Sequence, residues 1–159
     1  MTNPLTERTL ETLELMRRSE ECVAAFYAAC AKRWKHDADF WNTLVEAEHM
    51  HASKLEAIAE LVKANPMQYV AQRPFNPVAT GLFIEWTEKS QKQIESGDCF
   101  KRDALILAMD MEGSLLENRF TDFLKTQDRE YLLMVQTLQQ ETEAHIQMLK
   151  EKAAEHSVG

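Results

Sequence analysis

Four glycines and four prolines in 159 residues leave little material for tight turns, and Pro66, Pro74, Pro77 and Gly81 put half of them in one stretch. That scarcity excludes a turn-rich β-sandwich. Cysteine is scarce too. Cys22, Cys30 and Cys99 are odd in number and form no Cys-x-x-Cys pair, so a disulfide framework, a zinc ribbon and a rubredoxin-type iron site are not expected. No apolar run approaches the ~20 residues of a membrane span, and the polar start Met1-Thr2-Asn3-Pro4 lacks the character of a signal peptide. A cytoplasmic chain with no membrane partner is the expectation. Cations are few, 18 Lys and Arg against 26 Asp and Glu for a net charge of −8, which works against any surface that must neutralise phosphates. No nucleic-acid partner is expected. What remains is helix-forming material, 45% hydrophobic and 28% charged, in a length suited to one domain with its own core.

Apolar residues recur every three or four positions over about residues 6–35, from Leu10, Leu13 and Met16 to Phe26, Tyr27 and Cys30, which predicts one long amphipathic helix. His36-Asp37-Ala38-Asp39 is a short polar connection whose Asp is placed to cap a second helix running to Asn65. Two long helices on so short a loop must lie antiparallel. Prolines then interrupt the pattern, a shorter helix is expected over 82–96, and Ser96-Gly97-Asp98 ends it. A third long helix is expected over about 99–124 and a fourth over about 129–154, after the polar turn at 125–128. The predicted fold is thus all-α and single-domain over 1–159: a helical hairpin at about 6–65, a crossover at about 66–98 and a second hairpin at about 99–155. This is the connectivity of ferritin-like four-helix bundles.

The informative residues are polar ones on the apolar faces. Glu20 shares its stripe with Leu13, Met16, Val23 and Tyr27, whereas Glu21 falls on the side of Arg17 and Arg18. Glu48 and His51 align with Trp41, Leu44, Leu55 and Ile58, while Glu46 and His49 share a side with Ser53 and Glu56. Glu112 sits among Leu105, Ala108, Met109, Leu115 and Leu116, and Glu141 and His145 line up with Met134, Leu138 and Met148. The two halves repeat this register: Glu112 lies 92 positions after Glu20, and Thr142 and His145 lie 94 after Glu48 and His51. Gathering three or four carboxylates in a core costs several kcal/mol per ion unless cations or protons compensate. Two divalent ions bring four positive charges, and oxygen and imidazole donors without thiolate suit iron or manganese and tolerate zinc. The rival reading is a metal-free polar network.

These residues resemble the rubrerythrin branch of the ferritin-like di-iron carboxylate proteins, a class defined by one Glu from each of two helices and Glu-x-x-His from each of the other two. Residues 20–27, from Glu20 to Tyr27, resemble the family's first helix, and 40–51, with Glu48 and His51, its second. Residues 104–112 resemble its third and 138–149 its fourth. The resemblance implies two iron ions, chemistry with peroxide or dioxygen, and a separate electron-donor protein, because no rubredoxin segment is present. It implies Glu20 and Glu112 as terminal ligands, Glu48 and a fourth-helix carboxylate as bridges, and one histidine, His51 or His145, on each metal. The family's last Glu falls on Thr142, and Glu141, one turn before His145, is expected to substitute. Asn118-Arg119 replaces the aromatic pair that matches Phe26-Tyr27. Two other functions stay open: an iron-handling or cargo protein with ferroxidase activity, and a structural bundle without metal. Met109, Met111, Met134 and Met148 are read as core filler, and Tyr27 as a buried tyrosine outside the site. Trp34, Trp41 and Trp86 are expected to pack the bundle or a surface shared in a homodimer or larger homo-oligomer.

Overall fold

A computed structural model describes residues 3–72, 76–117 and 123–157. The described chain is predominantly helical, in α1 (Pro4–Arg33), α2 (Ala38–Ala64), α3 (Pro77–Ser96), α4 (Lys101–Glu117) and α5 (Arg129–Ser157). Two short strands, β1 (Val70–Ala71) and β2 (Leu124–Lys125), pair antiparallel with Val70 opposite Lys125 and Ala71 opposite Leu124. None of the described helices is long and apolar enough to cross a membrane.

Local chemistry sets the helix ends, and in three places it differs from expectation. Asp37 stands at the start of α2 without capping it by its side chain. Its carboxylate instead meets Lys101 Nζ at 2.6 Å and Lys152 Nζ at 3.2 Å, one ammonium from α4 and one from α5. Two charge-assisted bonds outweigh one backbone N–H, and they tie the α1–α2 turn to the second half of the chain. Helix α3 begins at Pro77, five residues before the expected start: Asn76 Oδ1 accepts from the N–H groups of Val78 and Ala79, and proline is well suited to the first helical position. Gly81 lies inside that helix, which ends at Gly97 with φ 87°, a conformation that favours glycine. The third long helix, expected to reach residue 124, is described only to Glu117, and Leu124 lies in β2, paired with the crossover. Asn118 and Arg119 lie outside the described residues, as does Pro74.

Helix α1 packs along α2 on one side and α3 on another, α4 packs along α5, and contacts of α2 with α5 and of α1 with α4 join the two pairs. Thr87, Ser90 and Ser19 are buried, yet each hydroxyl donates to a carbonyl four residues back, so these polar side chains need no partner on a neighbouring helix. The interior falls into two apolar clusters. One contains Val23, Phe26, Tyr27, Trp41, Leu44, Leu105 and Leu149, and the other Leu13, Met16, Leu55, Ile58, Tyr131 and Leu138. The sequence positions between them are polar: Glu20 lies between Met16 and Val23, Glu48 and His51 between Leu44 and Leu55, and Thr142 and His145 between Leu138 and Leu149. A buried polar layer therefore separates two hydrophobic halves.

Candidate metal centre

Each buried side chain of that layer reaches it by helical spacing. Residues three or four apart lie one above the other on the same face, so a Glu at the third or fourth position of an apolar stripe is carried into the core with its neighbours. Glu20 from α1, Glu48 and His51 from α2, and Glu112 from α4 have no exposed surface, and Thr142 and His145 from α5 are also buried. Glu46, Asp110 and Glu117 are exposed. His49 is too, and its Nδ1 lies 3.0 Å from Glu21 Oε2 at the surface.

Glu48 is the hinge of the arrangement. Its Oε1 lies 3.1 Å from His145 Nδ1 and its Oε2 lies 3.2 Å from His51 Nδ1. The two imidazoles stack with centroids 5.3 Å apart. On the outer side of each pair stands another carboxylate: Glu20 Oε2 is 3.8 Å from His51 Nδ1, and Glu112 Oε1 is 3.4 Å from His145 Nδ1. The order Glu20, His51, Glu48, His145, Glu112 follows the internal repeat, with one carboxylate and one histidine from each half flanking Glu48. The ligand atoms of Glu48, His51 and His145 lie within 4.8 Å of one another, and this buried group can hold a metal ion.

Satisfaction is incomplete. Both oxygens of Glu20 and Oε2 of Glu112 are buried without a hydrogen-bond partner. Native interiors pair nearly all such atoms, so three unmet carboxylate oxygens beside two histidines form a donor set that fits a cation. Electrostatics agree. Burial, then the charges of Glu112 and Glu20, push the Glu48 carboxyl well above its usual range. Glu112 also feels burial first, but hydrogen bonds from His145, Glu48 and Tyr27 hold it below the ordinary value. For His51, burial works downward, and Glu20 and Glu141 outweigh it to raise the pKa.

Two expectations about the site change. Glu141 does not join the carboxylates around Glu48: its Oε2 lies 2.7 Å from His51 Nε2, on the opposite edge of the ring, its Oε1 accepts from Lys54 Nζ at 3.2 Å, and its side chain is 39% exposed. The reason is helical rotation of about 100° per residue. Thr142 takes the inward position, where its hydroxyl donates to Leu138 O at 2.8 Å, and Glu141 is turned to the rim between α2 and α5. Tyr27, read as outside the site, donates its hydroxyl to Glu112 Oε1 at 2.5 Å and is wholly buried. Its signal was present as the seven-residue step from Glu20 along one face. Lys54, three residues after His51, carried no comparable signal, because a lysine at that edge reads as solvated.

Comparison with family models, with curated proteins and with solved structures finds no match. The geometry of the layer therefore carries the functional reading by itself.

Proposed function

We propose that this chain is a two-metal carboxylate protein, a ferritin-like four-helix bundle of the rubrerythrin kind. Its ions, iron foremost, serve redox chemistry with peroxide or dioxygen, and a separate protein donates the electrons. The observation that carries the reading is the trio of buried, unpartnered carboxylate oxygens on Glu20 and Glu112 beside the Glu48–His51–His145 group. A polar network built for its own sake would have met those oxygens with donors, so the metal-free reading has less support.

Glu20 and His51 would hold one ion, Glu112 and His145 the other, and Glu48, with one oxygen toward each histidine, would span the two. The ions would supply the redox equivalents. The chain's own residues do the rest: the apolar clusters above and below exclude bulk water, and Tyr27 fixes Glu112 through its hydroxyl. Three carboxylates set against two divalent ions leave one positive charge, which favours a small anionic ligand at the centre over a neutral one. The missing fourth carboxylate, at Thr142, is the source of that surplus.

Anaerobic loading with two ferrous equivalents per chain, followed by rapid mixing with peroxide, tests the function. The expected result is iron oxidation much faster than that of free ferrous ion, and sustained peroxide consumption when a reductant is added. Loaded protein that oxidises no faster than the free ion would contradict it. Oxidation that stops after one turnover despite reductant would favour iron handling instead.

A further inference from the structure

The two sides of the layer are supported unequally. The outer nitrogen of His51, Nε2, lies 2.7 Å from Glu141 Oε2, and Lys54 holds the other oxygen of the same carboxylate at 3.2 Å. The His51 side chain is completely buried while those of Glu141 and Lys54 are 39% and 24% exposed, so a surface pair closes over the edge of a core imidazole. Among the described residues His145 has no equivalent, and its polar contacts there, to Glu48 and Glu112, all use Nδ1.

We propose that Glu141, steadied by Lys54, is a positioning residue that makes the two metal positions unequal. The position framed by Glu20, Glu48 and His51 then fills first and holds its ion more tightly than the one framed by Glu48, Glu112 and His145. This inference rests on the two-metal reading above. The Glu141 carboxylate meets His51 Nε2 with one oxygen and the Lys54 ammonium with the other, so it acts as an acceptor toward both. The hydrogen of a neutral His51 must then sit on Nε2, which leaves the Nδ1 lone pair facing Glu48 and Glu20. The ring can neither rotate nor change tautomer without breaking that bond. For His145 no described residue fixes that choice, and any fraction with hydrogen on Nδ1 offers no donor atom to an ion. Lys54 offsets the charge of Glu141, so the main effect of the pair is orientation rather than added negative charge. Partners of this kind change metal affinity by roughly 10–100-fold.

Anaerobic calorimetric titration of the metal-free chain with ferrous ion tests the proposal, on the wild type and on Glu141→Ala, Glu141→Gln and His145→Ala. The wild type should show two resolved steps. In Glu141→Ala the first step should weaken by about 10–100-fold, with the second changed much less. Glu141→Gln, whose carbonyl can still accept from Nε2, should restore much of the loss. His145→Ala should remove the second step and keep the first. Nitrogen-15 spectra of the metal-free wild type should show the hydrogen of neutral His51 on Nε2 and lose that preference in Glu141→Ala, a signature that a merely stabilising surface residue would not control. Because the Glu141 side chain is partly exposed, its two variants should fold, and circular dichroism checks this for all three variants. Two bound ions whose steps ignore Glu141→Ala would overturn this inference alone. A wild type that takes up no ferrous ion would overturn the two-metal reading and this inference with it.

Discussion

Replacing Glu20 by methionine separates what the carboxylate layer costs the fold from what it does for metal. Without an ion, both Glu20 oxygens are buried and unpartnered, and the His51 nitrogen nearest them is 3.8 Å away, beyond hydrogen-bonding distance. An unmet buried polar group costs roughly 1–3 kcal/mol, and more when it is charged. Exchanging buried ionic groups for apolar side chains of similar volume has stabilised proteins by roughly 1–4 kcal/mol. Methionine has nearly the shape of glutamate, and the flanking residues of the same stripe, Met16 and Val23, are apolar and buried. His51 keeps Glu48 and Glu141 as partners. In chelator, Glu20→Met should therefore be the more stable protein by roughly 1–3 kcal/mol, and its Tm higher by about 2–10 °C for a chain of this size. With metal the order should reverse, because an ion at a hundred times its Kd adds about 2.7 kcal/mol to a chain that binds it, and the variant lacks a ligand. Anaerobic thermal melts of both proteins, with chelator and with excess ferrous ion, read the two signs. A chelated Glu20→Met that melts below the wild type would refute the reasoning, since Glu20 would then belong to a satisfied network.

Further expectations follow from the same contacts. Glu48→Gln combined with His51→Ala should abolish at least one metal equivalent by elemental analysis, whereas Glu46→Gln with His49→Ala should leave metal content intact; equal losses would refute the face assignment. Because Glu48 and His51 both have raised pKa values in the metal-free chain and must release protons to an ion, metal affinity should rise with pH, seen as proton release in calorimetry with two buffers. Asp37 feels burial upward, but Lys101 and Lys152 bring its pKa below the usual value, so its stabilisation is complete above the ordinary Asp range and fades as pH falls through the lowered pKa. Asp37→Asn should thus be destabilised by roughly 1–3 kcal/mol at neutral pH and converge on the wild type in acid, measured by urea unfolding. Thr142→Glu, which supplies the missing carboxylate at the inward position, should tighten metal binding in a ferrous titration.

Helical periodicity was enough to read the long helices and the inward polar residues, because a 3.6-residue repeat converts spacing directly into burial. Glu20, Glu48, His51, Glu112 and His145 sit where their apolar neighbours sit. What escaped depends on tertiary partners. A Pro-rich stretch reads as a break, yet Asn76 and Pro77 start α3 because their local chemistry suits a cap. Asp37 reads as a cap, yet two lysines more than sixty residues away claim it. The pairing of β1 with β2 spans two residues on each side, too short for any alternation to announce it. Glu141 was misplaced for a different reason: spacing of three or four residues from a histidine leaves two neighbouring positions open, and only the rotation of α5 against α2 decides which side chain faces in.

The central claim is tested most directly by the metal content of the purified protein. Elemental analysis of chain produced in iron-supplemented cells and purified without chelators should approach two transition-metal atoms per chain, most of them iron. Well-folded protein that contains no metal, takes up none on anaerobic addition of ferrous ion and melts at the same temperature with and without chelator would contradict the account.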